Sequence, residues 1–195
     1  MVKQFLKTGQ ILLVLSVIFA VGYGKDGSSY GNDTSDETIK VGQFYQGGVI
    51  AYIDATGQHG LIAAPGDLSR IQWEKDYLVR GATGTAIGTG RINTTRIVQA
   101  VGKGKYAAKL CDDLVLNGYS DWFLPSKDEL NILYQNKDLI GGFSNAYYWS
   151  SSEFSSAYSS KSDNAIYAWC QDFGNGKQTS YYKKTAYHIR AVRAF

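Results

Sequence analysis

The apolar residues change their spacing twice along the chain, and no other feature limits the fold more. Val41–Tyr45, Val49–Ile53 and Leu61–Ala64 are short β-branched and aromatic runs, divided by Gly47-Gly48, by a turn at Ala55–Gly60 and by Pro65-Gly66. That is the pattern of a strand hairpin followed by a third strand. Arg91–Val101 then places Ile92, Ile97, Val98 and Val101 on one helical face, and Tyr106–Leu116 does the same with Tyr106, Leu110, Cys111 and Leu114. Ser126 and Glu129 form a capping box that opens a third helix, buried through Leu130, Leu133 and Tyr134 and ended near Gly141-Gly142. From Gly142 the chain becomes strand-like again, with strands expected at Tyr147–Ser152, Tyr167–Phe173 and Tyr187–Val192. Strands, helices and strands again imply an α+β domain with a mainly antiparallel sheet, two or three helices and long C-terminal loops.

The N-terminus reads as an export signal over residues 1–24. Lys3 and Lys7 precede an apolar run from Ile11 to Val21, and Gly22 and Gly24 flank a cut before Lys25. The run is too short to span a bilayer core comfortably, although an uncleaved anchor is the alternative reading. No Cys follows it to carry a lipid. Lys25 to Lys40 is polar and without hydrophobic period, the pattern of a flexible tether. The folded domain is therefore expected over residues 41–195, in an exported, surface or periplasmic protein.

The chain has 20 Lys and Arg; without Lys3 and Lys7, 18 remain against 17 Asp and Glu. Such balance gives no pull towards nucleic acid. Cys111 and Cys170 are the only cysteines. An oxidising compartment allows a disulfide between them, and two separate buried thiols are the other reading. The Gly-rich loop over residues 74–90 lacks the Gly-Lys-Ser/Thr of a phosphate cradle. His59 and His188 have no zinc-ligand spacing, and no nucleophile elbow is present. Asp121 and Glu153 read as structural carboxylates, Trp122 and Trp149 as core. No enzyme activity, cofactor or metal is expected.

Gly118-Tyr119-Ser120-Asp121-Trp122-Phe123-Leu124-Pro125-Ser126, Glu129-Leu130, Tyr148-Trp149-Ser150-Ser151-Ser152-Glu153 and Arg190-Ala191-Val192-Arg193 together resemble the Lcl C-terminal-type domain of bacterial surface proteins. Tyr52-Ile53-Asp54 and Thr56-Gly57-Gln58-His59-Gly60 belong to the same set. The resemblance implies a C-type-lectin-like fold with N- and C-terminal strands brought together and a ligand surface made by C-terminal loops and strands. Some members bind sulfated polysaccharide. The calcium-binding motifs of true C-type lectins are absent, so binding is expected to be calcium-independent. Within this, residues 145–195 look like the variable region of proteins diversified by retroelements. Those regions scatter Asn, Ser, Tyr, Asp and His between a Trp-Ser-Ser-Ser-Glu core and an Arg-Ala-Val-Arg ending.

Seven of the 15 Tyr fall between Tyr147 and Tyr187. Tyr gives broad, rigid contact with a hydroxyl, and Ser and Asn add adaptable hydrogen bonds. The expected binding residues are Asn145, Tyr147, Ser156, Tyr158, Ser160, Asn164, Tyr167, Tyr181, Tyr182, Tyr187 and His188. Their partner is expected to be a protein or a surface glycan. The competing readings are a fixed-specificity adhesin, in which Lys177, Lys183, Lys184 and nearby Arg residues meet sulfate groups, and a glycan hydrolase.

Overall fold

A computed structural model describes residues 38–76, 80–155 and 166–195, all within one compact unit, Glu37–Phe195. The expected signal and nearly all of the tether lie outside the described residues, as do Ser156, Tyr158, Ser160 and Asn164. No helix among the described residues is long and apolar enough to cross a membrane.

The architecture is α+β, with two mainly antiparallel sheets rather than one. The first sheet contains β1 (Phe44–Tyr45), β2 (Gly48–Ile53), β3 (Gly60–Ala63) and β9 (Val192–Ala194), in the order β1-β2-β3-β9. The second contains β4 (Ser69–Gln72), β5 (Tyr147–Glu153), β6 (Tyr167–Asp172), β7 (Gln178–Tyr182) and β8 (Ala186–Ile189), in the order β4-β8-β5-β6-β7. The β1–β2 hairpin closes on Gln46 (φ 42°) and Gly47 (φ 88°), the two positive angles that suit the twist of a two-residue turn. The first strands do meet the last: Ile62 pairs with Arg193 and Ala63 with Val192.

The expected strand Tyr187–Val192 is divided. β8 ends at Ile189, Arg190 and Ala191 pass between the sheets, and β9 begins at Val192. The two arginines fix that passage. Arg190 is fully buried, with its guanidinium on Asp67 Oδ1 at 2.8 Å and on the carbonyls of Ala64, Gly141 and Gly142. Arg193 holds Asp121 at 2.7 Å and the Gln46 carbonyl at 3.2 Å, and lies 3.9 Å over the Tyr119 ring. Burial would raise the Asp121 carboxyl, but the Arg193 hydrogen bond and charge outweigh it and hold the group below its ordinary range.

Helix α1 (Gly90–Val101) matches expectation, whereas α2 (Ala107–Asp112) is shorter: Leu114 N bonds back only three residues, to Cys111 O, and Asn117 and Gly118 then take left-handed angles in a turn at Leu116–Tyr119. Helix α3 (Lys127–Gln135) begins with the capping box: Glu129 N donates to Ser126 Oγ at 3.3 Å and Ser126 N to Glu129 Oε2 at 2.7 Å. A short α4 (Lys137–Ile140) follows and stops at Gly141. The Glu129 carboxylate also accepts a hydrogen bond from Gly88 N, at 2.8 Å. Burial pushes this carboxyl up, against the pull of its backbone donors.

Gly90 makes the close approach possible. A Cβ there would sit 2.1 Å from Glu129 Oε2 and 2.8 Å from Ser126 N. Gly90→Ala should therefore cost about 1–3 kcal/mol through overpacking, read as a lower urea midpoint. An unchanged midpoint would mean that the cap yields to the added methyl group.

Trp73, Trp122 and Trp149 are core residues. Trp73 Nε1 donates to Ser150 O at 2.8 Å, Trp122 Nε1 to Tyr119 O at 3.1 Å, and Trp149 Nε1 to Ile71 O at 3.2 Å. Cys111 and Cys170 are both free and buried in this core, so the disulfide left open by the sequence is not formed. Burial pushes the Cys111 thiol up and the Cys170 thiol up to about 12, which leaves both protonated and inert.

Candidate functional site: an aromatic face at the edge of the second sheet

Side chains alternate across a strand, so register decides which rings meet. Tyr167 pairs with Tyr182 and Trp169 with Ser180, which puts Tyr167, Trp169 and Tyr182 on one side of the sheet. Ala168 pairs with Tyr181, and Trp149 with Cys170, so Tyr181, Tyr147 and Trp149 lie on the other side, together with Tyr187. The two sets join around β7, one of the two edge strands of the second sheet.

The ring contacts form an unbroken series. Tyr147 stacks on Tyr187 with centroids 5.0 Å apart, and Tyr187 lies 5.5 Å from Tyr181. Tyr181 meets Tyr182 edge-on at 5.8 Å, and Tyr182 lies 4.8 Å from Tyr167. Phe154 then bridges Tyr167 and Trp169, at 6.3 and 5.6 Å. The Lys127 ammonium caps the end of the row, 4.5 Å from the Trp169 centroid. Such offset and edge contacts hold rings rigidly at little entropy cost on binding.

Inner rings of the row are half-buried, while Tyr181 and Tyr182 are 43% and 47% exposed. Burial and the neighbouring Cys170, Tyr181 and Tyr147 push the Tyr187 hydroxyl above the usual phenol range. It therefore remains a neutral hydrogen-bonding group at any physiological pH.

Of the expected binding residues, the structure brings together Tyr147, Tyr167, Tyr181, Tyr182 and Tyr187. His188 does not join them. It faces the Tyr148 side, with Nδ1 3.1 Å from Asp67 Oδ2 and its ring 5.2 Å from Tyr148. Tyr148 donates to the same Asp67 oxygen at 2.6 Å, and burial followed by that hydrogen bond lifts its phenol to about 12. Asn145 is also elsewhere. It lines an open cleft of about 280 Å³ with Lys137, Asp138, Gly141, Gly142, Phe143 and Phe173, and none of the tyrosines of the row reaches that lining.

Sequence reasoning missed Trp169, Phe154 and Lys127. Trp169 lies two residues beyond Tyr167 in an expected strand, and that spacing was the available signal.

Lys183 is not a surface cation. It is fully buried, with Nζ 2.6 Å from Glu153 Oε1 and 3.2 Å from Glu74 Oε1, and 4.5 Å over the Trp73 ring. Arg80 closes the group, its Nε 2.7 Å from Glu74 Oε2, and Glu153 also accepts from Arg80 N and Ala82 N at 2.8 and 3.0 Å. Glu153 and Asp121 thus serve separate ion-pair networks, as structural carboxylates. Lys177 and Lys184 are exposed. Among the described residues no cluster of His, Cys, Asp and Glu has the makings of a metal site.

A family model described as the Lcl C-terminal domain matches residues 67–193. No curated protein matches the chain. The matched segment holds every ring of the aromatic row, but not β1, β2 and β3, which complete the first sheet.

Proposed function

From the premise that the chain belongs to the Lcl C-terminal domain family, we propose that it is an exported ligand-binding protein of C-type-lectin-like fold. Its contact surface is the tyrosine row at the edge of the second sheet. The observation that carries this reading is the continuous series of ring contacts from Tyr147 to Trp169, open to solvent at Tyr181 and Tyr182. Packing alone would bury those phenols or scatter them. Here they are contiguous, rigid and half-exposed, the combination from which interface hot spots are built.

The fixed-specificity adhesin reading is weakened by the burial of Lys183, which leaves Lys177 and Lys184 as the exposed lysines of the β7 region. Polyanion binding would weaken steeply with salt, whereas a tyrosine-led contact would not. The retroelement reading supplies a source for the tyrosines. It requires a reverse transcriptase gene and a near-copy of the coding segment for residues 145–195 in the neighbouring DNA.

The experiment is an unbiased screen of the full chain against protein and glycan arrays, repeated with Tyr181→Ala/Tyr182→Ala. The double variant should bind the recovered ligand at least tenfold more weakly, as about 1.4 kcal/mol per decade requires. Its stability should stay within about 1 kcal/mol of the parent, because both rings are half-exposed. Equal binding by the parent and the variant would sink the proposal.

A further inference from the structure

The outer side of β7 is an open sheet edge, and its hydrogen-bond pattern can be worked out. Lys183 N donates to Ile166 O at 3.0 Å and Asp172 N to Lys177 O at 3.0 Å. Both bonds flank pairs of the non-hydrogen-bonded kind, Tyr182 with Tyr167 at one end and Gln178 with Gln171 at the other. Ser180, opposite Trp169, lies two steps from each and is of the same kind. The backbone N–H groups of Gln178, Ser180 and Tyr182 therefore point away from β6. Among the described residues no strand pairs with that side. Such an edge is a template for an added strand.

Charge says what would fit there. From Gly174 to Phe195 the chain contains no Asp or Glu. Of its cations, Lys183, Arg190 and Arg193 are buried in ion pairs, while Lys177 is exposed where the chain enters β7. The carboxylate at the end of β6, Asp172, is tied into its own turn by Gly174 N at 2.8 Å and Asn175 Nδ2 at 2.9 Å. On the neighbouring strand the Lys127 ammonium covers Trp169.

We infer that the outer edge of β7 takes an extended, acidic segment of a partner protein as an additional strand, with Tyr181 and Tyr182 gripping its alternate side chains from the two faces. This rests on the binding role proposed above for the tyrosine row and names the class of partner. Main-chain bonds to the edge supply affinity, and the two phenols, with Lys177 and Lys127, supply selection.

Ser180→Pro tests it. Proline removes one outward N–H and leaves the ladder to β6 intact, which is where edge strands tolerate it. A displayed library of random twelve-residue peptides is panned on the full chain. The recovered peptides should carry Asp or Glu at alternate positions, bind Ser180→Ala like the parent, and bind Ser180→Pro at least tenfold more weakly. In the parent, the Ser180 amide should gain hydrogen-exchange protection when the peptide is added, a readout that holds even if the proline variant fails to fold. Recovery of no peptide, recovery of peptides without acidic residues, undiminished binding to folded Ser180→Pro, or an unprotected Ser180 amide overturns the inference. So does a chain that binds only a sulfated oligosaccharide. Loss of binding in Tyr181→Ala/Tyr182→Ala together with full binding in Ser180→Pro would leave the tyrosine face standing and remove strand addition alone.

Discussion

A chain beginning at Asp67, the first residue of the family match, will not unfold cooperatively, while one beginning at Val41 will behave like the full-length protein. The shorter chain loses β1, β2 and β3 and so exposes the whole inner edge of β9. It also loses Ile50, Ala51, Leu61, Ile62 and Ala63, all 4% exposed or less. Burying an Ile or Leu contributes about 1.5–3 kcal/mol, and a domain's whole stability is about 5–15 kcal/mol. The arginines that connect the sheets suffer as well: Arg193 loses Gln46, and Arg190 loses the Ala64 carbonyl. Thermal unfolding followed by circular dichroism decides the matter. A sharp transition at the parental temperature in the Asp67 chain would show that the first sheet is an accessory to the domain and not half of it.

Lys183→Met should cost about 3–5 kcal/mol, the range for removing one partner of a buried ion pair. Methionine fills most of the space but leaves Glu153 and Glu74 facing each other, fully buried, with Arg80 as the remaining side-chain cation of the group among the described residues. The backbone donors at Arg80 and Ala82 still reach Glu153, so the loss should fall short of unfolding. Adding Glu153→Gln to Lys183→Met should recover part of the loss, because it deletes the uncompensated charge. Urea midpoints at neutral pH measure both steps. A change below about 1 kcal/mol for Lys183→Met would mean that water reaches the group and screens it.

The parts of this protein that could be read from its residues are those decided within a turn or two of chain. The capping box at Ser126 and Glu129 joins groups three residues apart, so its geometry follows from local backbone. Trp122 and Trp149 could be placed in the core because each lies in a motif bounded by apolar and turn residues. The helix over Arg91–Val101 is visible in its spacing alone. β7 was not, because Gln-Thr-Ser-Tyr-Tyr shows no apolar alternation and is held by β6 rather than by its own propensity. β4 was missed for the same reason: Ser69–Gln72 is a strand because β8 lies beside it.

The binding residues divide in the same way. The run of Tyr, Ser and Asn identified the C-terminal region but not which members act together. Register put Tyr147, Tyr181 and Tyr187 side by side, and the same alternation turned His188 to the opposite face. Lys183 and Lys184 look alike in sequence, yet one is sealed beside carboxylates 30 and 109 residues away and the other is exposed. Residue type and spacing alone thus determined the α+β class, the helix starts, the aromatic core and a C-terminus rich in phenols. Strand register decided which phenols meet, which lysine is buried and where the sheet stays open. Local torsions and caps are set by neighbours in the chain, whereas register and burial are set by partners that only folding brings near.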